Sequence, residues 1–203
     1  MSRSASKPTR RATAASLPGK VRIIGGRWRG RRIGVPSLPA LRPSPDRVRE
    51  TLFNWLQSVI GGARCLDLFA GTGALGIEAL SRGASHVVFV DCEPMVARHL
   101  NDTVRQLEAE AMASVYVADA MRFLDGPVQG FDVVFLDPPF ASDLLGRALS
   151  RLANGWLRPG GHVYAESSAD AGLPELPPGW VVHRSGRAGQ VGYHLLRPQP
   201  TSA

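Results

Sequence analysis

The sequence predicts an α/β protein on a Rossmann-like, mostly parallel seven-stranded sheet with a reversed last strand. Three features predict it. Apolar runs of strand length alternate with helix-patterned segments from about residue 65 to residue 166, the mark of repeated βα units. The first unit carries a glycine turn, Asp67-Leu68-Phe69-Ala70-Gly71-Thr72-Gly73-Ala74-Leu75-Gly76, between an apolar strand and a helix. The last two runs, 180–184 and 191–196, are joined by a glycine-bearing turn alone and therefore pair antiparallel.

At 203 residues and 44% hydrophobic content, the chain can bury one real core. No apolar run is long enough for a membrane span, so a soluble protein is expected. The five histidines lack ligand spacing, so no metal is expected. Cys65 and Cys92 lie in or beside inner strands and read as buried free thiols in a reducing compartment. Charge is uneven: residues 1–49 hold 13 of the 24 Lys+Arg and one of the 17 acids. A basic arm on a slightly acidic body suits a polyanion, most simply nucleic acid.

Residues 1–19 are Ser-, Ala-, Arg- and Pro-rich without an acid and are expected to be a disordered basic tail. That composition is also transit-peptide-like, but the apolar face such a peptide needs is poor. Residues 20–43 read as a basic β-hairpin arm for RNA, turning at Gly25-Gly26. Its Arg22, Arg27, Arg29, Arg31 and Arg32, with Trp28 among them, suit phosphate contact and base stacking. Arg42 and Arg47 flank the next break, where Ser44 is the expected N-cap and Pro45 the first helical residue.

From residue 44 onward the chain reads as a single catalytic-type domain. A helix from Asp46 to about Ile60 sets Val48, Leu52, Trp55, Leu56 and Val59 on one buried face. Arg47 and Arg49 lie outside that stripe, free to face substrate or solvent. After the glycine turn, strands are expected at 86–91, 114–118, 131–136 and 161–166. Helices are expected at 94–110 and 144–153.

The spacing Gly71-x-Gly73-x-x-Gly76, with Asp91 twenty residues past Gly71, fits a nicotinamide dinucleotide as well as S-adenosylmethionine. Asp67 tilts the choice: a carboxylate at the end of the first strand can face an amino-acid ammonium but repels a pyrophosphate. Asp137-Pro138-Pro139-Phe140 follows the fourth strand, at the carboxyl edge where open α/β sheets bind ligands. The Asp137 side chain and the Pro138 carbonyl are paired acceptors for an exocyclic –NH2, and Pro139 stiffens the turn. Phe140 would stack on the base. Holding the amine aims its lone pair at a methyl donor.

These pieces resemble the RsmD family of 16S rRNA (guanine-N2)-methyltransferases. The matching stretches are Arg22-Ile-Ile-Gly-Gly-Arg-Trp-Arg-Gly, Leu41-Arg-Pro-Ser-Pro-Asp-Arg-Val-Arg-Glu, the turn from Asp67, Asp137-Pro-Pro-Phe and Ala188-Gly-Gln-Val-Gly-Tyr. They span about residues 20 to 197. The resemblance implies a class I S-adenosylmethionine-dependent methyltransferase fold. It implies methyl transfer to N2 of guanine 966 (bacterial reference numbering) in a partly assembled 30S particle. It places Asp67, Gly71 and Gly73 around the cofactor's methionine part, Asp91 on its ribose, and Asp119 with Ala120 at its adenine, with Phe69 and Ala70 also in the cofactor site. A cytoplasmic monomer is expected. Competing readings are an amino-methyltransferase of another RNA or DNA base, a nicotinamide oxidoreductase, and a non-catalytic ribosome-assembly factor.

Overall fold

The computed structural model describes residues 19–35 and 45–199. The expected tail, apart from Gly19, and the positions Arg42 and Ser44 lie outside them.

Strands β1 (Lys20–Arg22) and β2 (Arg32–Gly34) form a two-stranded antiparallel sheet with Val21 opposite Ile33. Helix α1 (Asp46–Trp55) begins after Pro45, which takes the cap position. Its apolar stripe buries Val48, Leu52 and Phe53, while the chain beyond Trp55 turns and buries Leu56 and Ile60. The helix is thus shorter than the periodicity alone suggests.

Next come β3 (Arg64–Asp67), α2 (Ala74–Ser81), β4 (His86–Asp91), α3 (Pro94–Gln106) and β5 (Ala113–Val117). They are followed by α4 (Ala120–Leu124), β6 (Phe131–Leu136), α5 (Leu144–Leu152), β7 (Leu157–Ser168), β8 (Trp180–Ala188) and β9 (Val191–Pro198). The five-residue α4 is too short to give a periodic signal, which is why the sequence did not reveal it.

The seven strands lie in the order β5-β4-β3-β6-β7-β9-β8, with β3 through β7 mutually parallel. β9 runs antiparallel to both β7 and β8, so the reversed last strand is inserted between them and does not form the edge. This order places a topological switch between β3 and β6, where open α/β sheets leave a ligand crevice.

Alternation along the central strands fills two layers. Cys65, Val87, Phe89, Val133 and Phe135 pack with Leu52 and Phe53 of α1, Ile77 of α2 and Leu100 of α3. Leu66, Val88, Val134 and Leu136 pack on the opposite face with Met121 of α4, Leu149 of α5 and Trp156. Burial on both faces explains why the strands read as continuous apolar runs. Gly76 permits the close approach of α2, since a Cβ there would lie 2.3 Å from the Phe89 ring. Cys65 is buried as expected, but Cys92 is exposed just beyond the end of β4.

Candidate active site

The register brings four acids to one edge of the sheet. Asp67 pairs with Phe89 on one side and Phe135 on the other, so Asp91 and Asp137 lie two residues further along their own strands. Leu136 pairs with Ala165, which puts Asp137 level with Glu166.

Asp67 is buried, and its Oδ2 accepts the Gly76 N–H at 2.9 Å, within the first turn of α2. Burial pushes its carboxyl up to about 7, with Asp91 adding to the rise and the Gly76 hydrogen bond opposing it. An ammonium partner would reverse that desolvation penalty. The glycine turn is held closed by Gly73 N–H to the Ala70 carbonyl (2.7 Å) and Ala70 N–H to the Val90 carbonyl (3.0 Å). Gly73 has φ +75, and a Cβ there would meet Leu100 at 2.4 Å, so only glycine fits. Phe69 packs partly buried on the second core layer, and Ala70 is buried.

Asp91 Oδ2 accepts the Gly71 N–H at 2.9 Å, and its Oδ1 accepts the Glu93 N–H at 2.9 Å. The Gly71 amide therefore orients Asp91. Each Asp91 oxygen keeps a second lone pair for a hydroxyl. Asp119 caps α4 by accepting the Arg122 N–H at 3.0 Å, with Ala120 buried beside it. Met95, Tyr116 and Val117, at the same end of the sheet, expose apolar surface. An acid able to accept from hydroxyls, an apolar rim and a buried acid at the glycine turn fit the ribose, adenine and amino acid of S-adenosylmethionine.

Asp137 is half-buried, and burial, Glu166 and Asp67 together hold its carboxyl well above the usual carboxylate range. The Pro139 carbonyl accepts both the N–H (3.1 Å) and the hydroxyl (2.6 Å) of Ser142, which closes the turn before α5. Among the described residues the Pro138 carbonyl accepts no hydrogen bond, so it stands ready for a donor beside Asp137. Phe140 is 45% exposed. A cleft of about 480 Å³ opens beside it, lined in part by Pro138, Arg147, Glu166, Ser168 and Leu173.

Arg22, Arg27, Arg29, Arg31, Arg32 and Arg47 are exposed, and among the described residues none of them forms an ion pair. Trp28 corrects the sequence reading. Its side chain is 3% exposed within the core layer of α1 and α2, so it anchors the arm and cannot stack on a base as placed. Gly25-Gly26 is likewise a docking point, with the chain turning further on. Arg27 N–H donates to the Ser81 carbonyl (2.7 Å) and Trp28 N–H to Ser81 Oγ (3.0 Å). A Cβ on Gly26 would fall 1.8 Å from the Ser81 oxygen. Arg49 faces neither substrate nor solvent: it is buried against Asp46 (2.6 Å) and Glu78 (3.6 Å).

Sequence reasoning missed Glu78, Tyr164 and Glu166 as site-supporting residues. The signal was an acid in an otherwise apolar run, as in Leu75-Gly76-Ile77-Glu78-Ala79-Leu80 and His162-Val163-Tyr164-Ala165-Glu166. A buried acid needs partners, and the register and the arm supply them.

A family described as conserved hypothetical protein 95, which includes the RsmD enzymes, matches residues 21–197. The chain is 48% identical over 180 residues to ribosomal RNA small subunit methyltransferase D of Escherichia coli, covering 88% of this chain and 90% of that one. It belongs to the RsmD family. The Haemophilus influenzae protein of the same name is 44% identical, with 88% and 94% covered. A solved methyltransferase from Escherichia coli superposes with a TM-score of 0.83 at 44% identity, covering 90% of this chain and all of that one. A Thermus thermophilus 16S rRNA N2 G1207 methyltransferase, solved with AdoMet and guanosine, shares the fold at 21% identity, with a TM-score of 0.66 and 91% and 50% covered. This RsmD-family chain is a methyltransferase that uses S-adenosylmethionine. Among the described residues no cluster could hold a metal ion, and no helix is long and apolar enough to cross a membrane.

Proposed function

We propose that this RsmD-family chain methylates N2 of guanine 966 (bacterial reference numbering) of 16S rRNA within a 30S particle or assembly intermediate. The observation that carries this reading is the placement of Asp137 and the open Pro138 carbonyl directly beside the Asp67 turn, on neighbouring parallel strands. Relatives named ribosomal RNA small subunit methyltransferase D support the RNA substrate.

Bound S-adenosylmethionine supplies an electrophilic methyl group on a sulfonium. The protein contributes position. Asp67 takes the cofactor's ammonium, Asp91 its ribose hydroxyls, and Asp119 with Ala120 the adenine end. Phe140 stacks on the target guanine while Asp137 and the Pro138 carbonyl each accept one N2 hydrogen. That grip turns the nitrogen lone pair toward the methyl group and keeps it from conjugating freely with the ring. The exposed arginines of the arm, with Arg42 and Arg47, hold phosphates of the flanking RNA.

The test is methyl transfer from labelled S-adenosylmethionine to 30S particles from a strain lacking the gene, with the product nucleoside identified by mass. One N2-methylguanosine site in the small-subunit RNA is expected. Label in DNA or in another RNA, and none in the particles, overturns the substrate.

A further inference from the structure

We infer that His162, His183 and Arg197 form a phosphate-binding site on the α1 face of the sheet, apart from the methyl-transfer site. The phosphate it takes belongs to the backbone of the RNA substrate, and that source rests on the proposed function.

The register brings the three side chains together. Val163 of β7 pairs with Leu196 of β9, so one antiparallel step further His162 faces Arg197. Arg197 pairs in turn with Val181 of β8. His162 lies on the same face as Tyr164, two residues on, which packs in the α1 layer. β9 separates β7 from β8, so His162 and His183 stand two strands apart, about 10 Å by strand spacing. Their rings nevertheless meet edge-on with centroids 6.1 Å apart. The cause is a bulge: Val182 pairs with Leu196 and Arg184 with Leu195, which leaves His183 as the extra residue. A bulge re-aims the side chain it carries, and this one leans His183 across β9 toward His162.

No acid answers these groups. His162 Nδ1 and Arg197 Nε are buried without a hydrogen-bond partner. Among the described residues neither Arg184 nor Arg197 forms an ion pair. Burial, followed by neighbouring positive charge, holds both imidazoles below the ordinary histidine value. His183 and Arg197 act on His162, and Arg197 and Arg184 act on His183, while the Gly160 backbone opposes the fall at His162. On the other side of His162, β6 presents Val133, and the adjacent Asp132 is engaged by Arg158 (3.0 Å) and the Arg64 N–H (2.7 Å). His183 is exposed, so the cluster opens to solvent. A phosphate oxygen entering there accepts from Arg197 Nε–H and, once the ring is protonated, from His162 Nδ1–H. Its charge offsets the repulsion among the three cationic groups.

Helix α1 links this cluster to the basic arm. Arg49 donates to the Arg22 carbonyl at 2.8 Å, while Trp55, at the other end of the helix, packs on Tyr193 of β9 with ring centroids 5.5 Å apart. The exposed arginines of the arm and the cluster on β9 thus flank one helix. A polymer with a phosphate at every residue can engage both, whereas a small phosphate ester reaches one.

The test is a ring-15N NMR titration of the full chain with labelled histidine, in chloride and in inorganic phosphate at matched ionic strength. Phosphate should raise the His162 and His183 midpoints by about 0.5–1 pH unit over chloride. Arg197→Gln should raise both midpoints in chloride, by removing a like charge, and abolish their response to phosphate. His183→Asn, at an exposed position, should shrink the His162 response. Equal midpoints of the wild type in the two salts, or a full response in Arg197→Gln, overturns the site. Filter binding of a 16S rRNA fragment at several salt concentrations reads the source: Arg197→Gln should flatten the log–log slope by about 1. An unchanged slope, beside a wild-type protein that responds to phosphate, assigns the site to small phosphates and overturns the RNA source. A flattened slope with no methylation of 30S particles would instead sink the guanine reading and leave the site standing.

Discussion

The buried carboxylate of Glu78 accepts the backbone N–H of Gly25, 53 residues earlier, at 2.8 Å. The same carboxylate takes the Ile24 N–H at 2.8 Å and pairs with Arg82 at 2.7 Å and Arg49 at 3.6 Å. Arg49 in turn donates to the Arg22 carbonyl at 2.8 Å. The basic arm is therefore fixed to α2, the helix that follows the glycine turn, so the arm and the turn share one support. Glu78→Gln should cost about 3–5 kcal/mol, because Arg49 would stay buried without its full partner. Denaturant unfolding would read that loss. A change under about 1 kcal/mol would show that the cluster does not hold the arm.

Asp137→Ala should lower kcat by at least about 100-fold while S-adenosylmethionine affinity stays within a few-fold. The reason is positional: Asp137 lies beyond β6, two strands from Asp91, and in the proposed reading it meets the amine and not the cofactor. Isothermal titration with the cofactor, beside single-turnover rates, separates the two effects. A large loss of cofactor binding would move Asp137 to the cofactor pocket.

How much of this was legible in the sequence depended on the range of each interaction. The βα alternation, the Asp67 turn and Asp137-Pro138-Pro139-Phe140 are local patterns, and the structure puts them where those patterns imply. Gly25-Gly26 is also local chemistry, but its reason is a close approach to Ser81, which no short-range rule reveals. Trp28 and Arg49 were misread or left open for the same cause: their partners lie far along the chain. Glu166 became a candidate only when the β6–β7 register set it beside Asp137.

The arm yields two contrasting outcomes. Replacing Arg29, Arg31 and Arg32 together by Ala should leave the fold intact, since all three are exposed, and flatten the log–log salt dependence of RNA binding by about 2–3. Trp28→Ala should instead destabilise the protein by about 3–5 kcal/mol, as a buried aromatic does, with the salt slope preserved. Filter binding at several salt concentrations and thermal melts distinguish them. A Trp28 variant of wild-type stability with weakened RNA binding would return that ring to the bases.

Asp67 makes the pH response of this protein specific. Its carboxyl titrates near 7 in the fold against an ordinary value of 3.8, so between those values the folded state holds a proton that the unfolded chain has lost. Stability therefore falls as pH rises from about 4 to about 7, by up to about 4 kcal/mol, the reverse of a salt-bridged carboxylate. A cofactor ammonium needs the ionised form, so S-adenosylmethionine affinity should rise with pH over the same range, by up to about tenfold per unit, with proton release on binding. Calorimetry in two buffers of different ionisation enthalpy measures that release, and Asp67→Asn should remove both the release and Asp67's part of the stability slope. If the Asn variant keeps the proton release, the titrating group is another acid of the edge, and Asp91 or Asp137 would have to carry the ammonium.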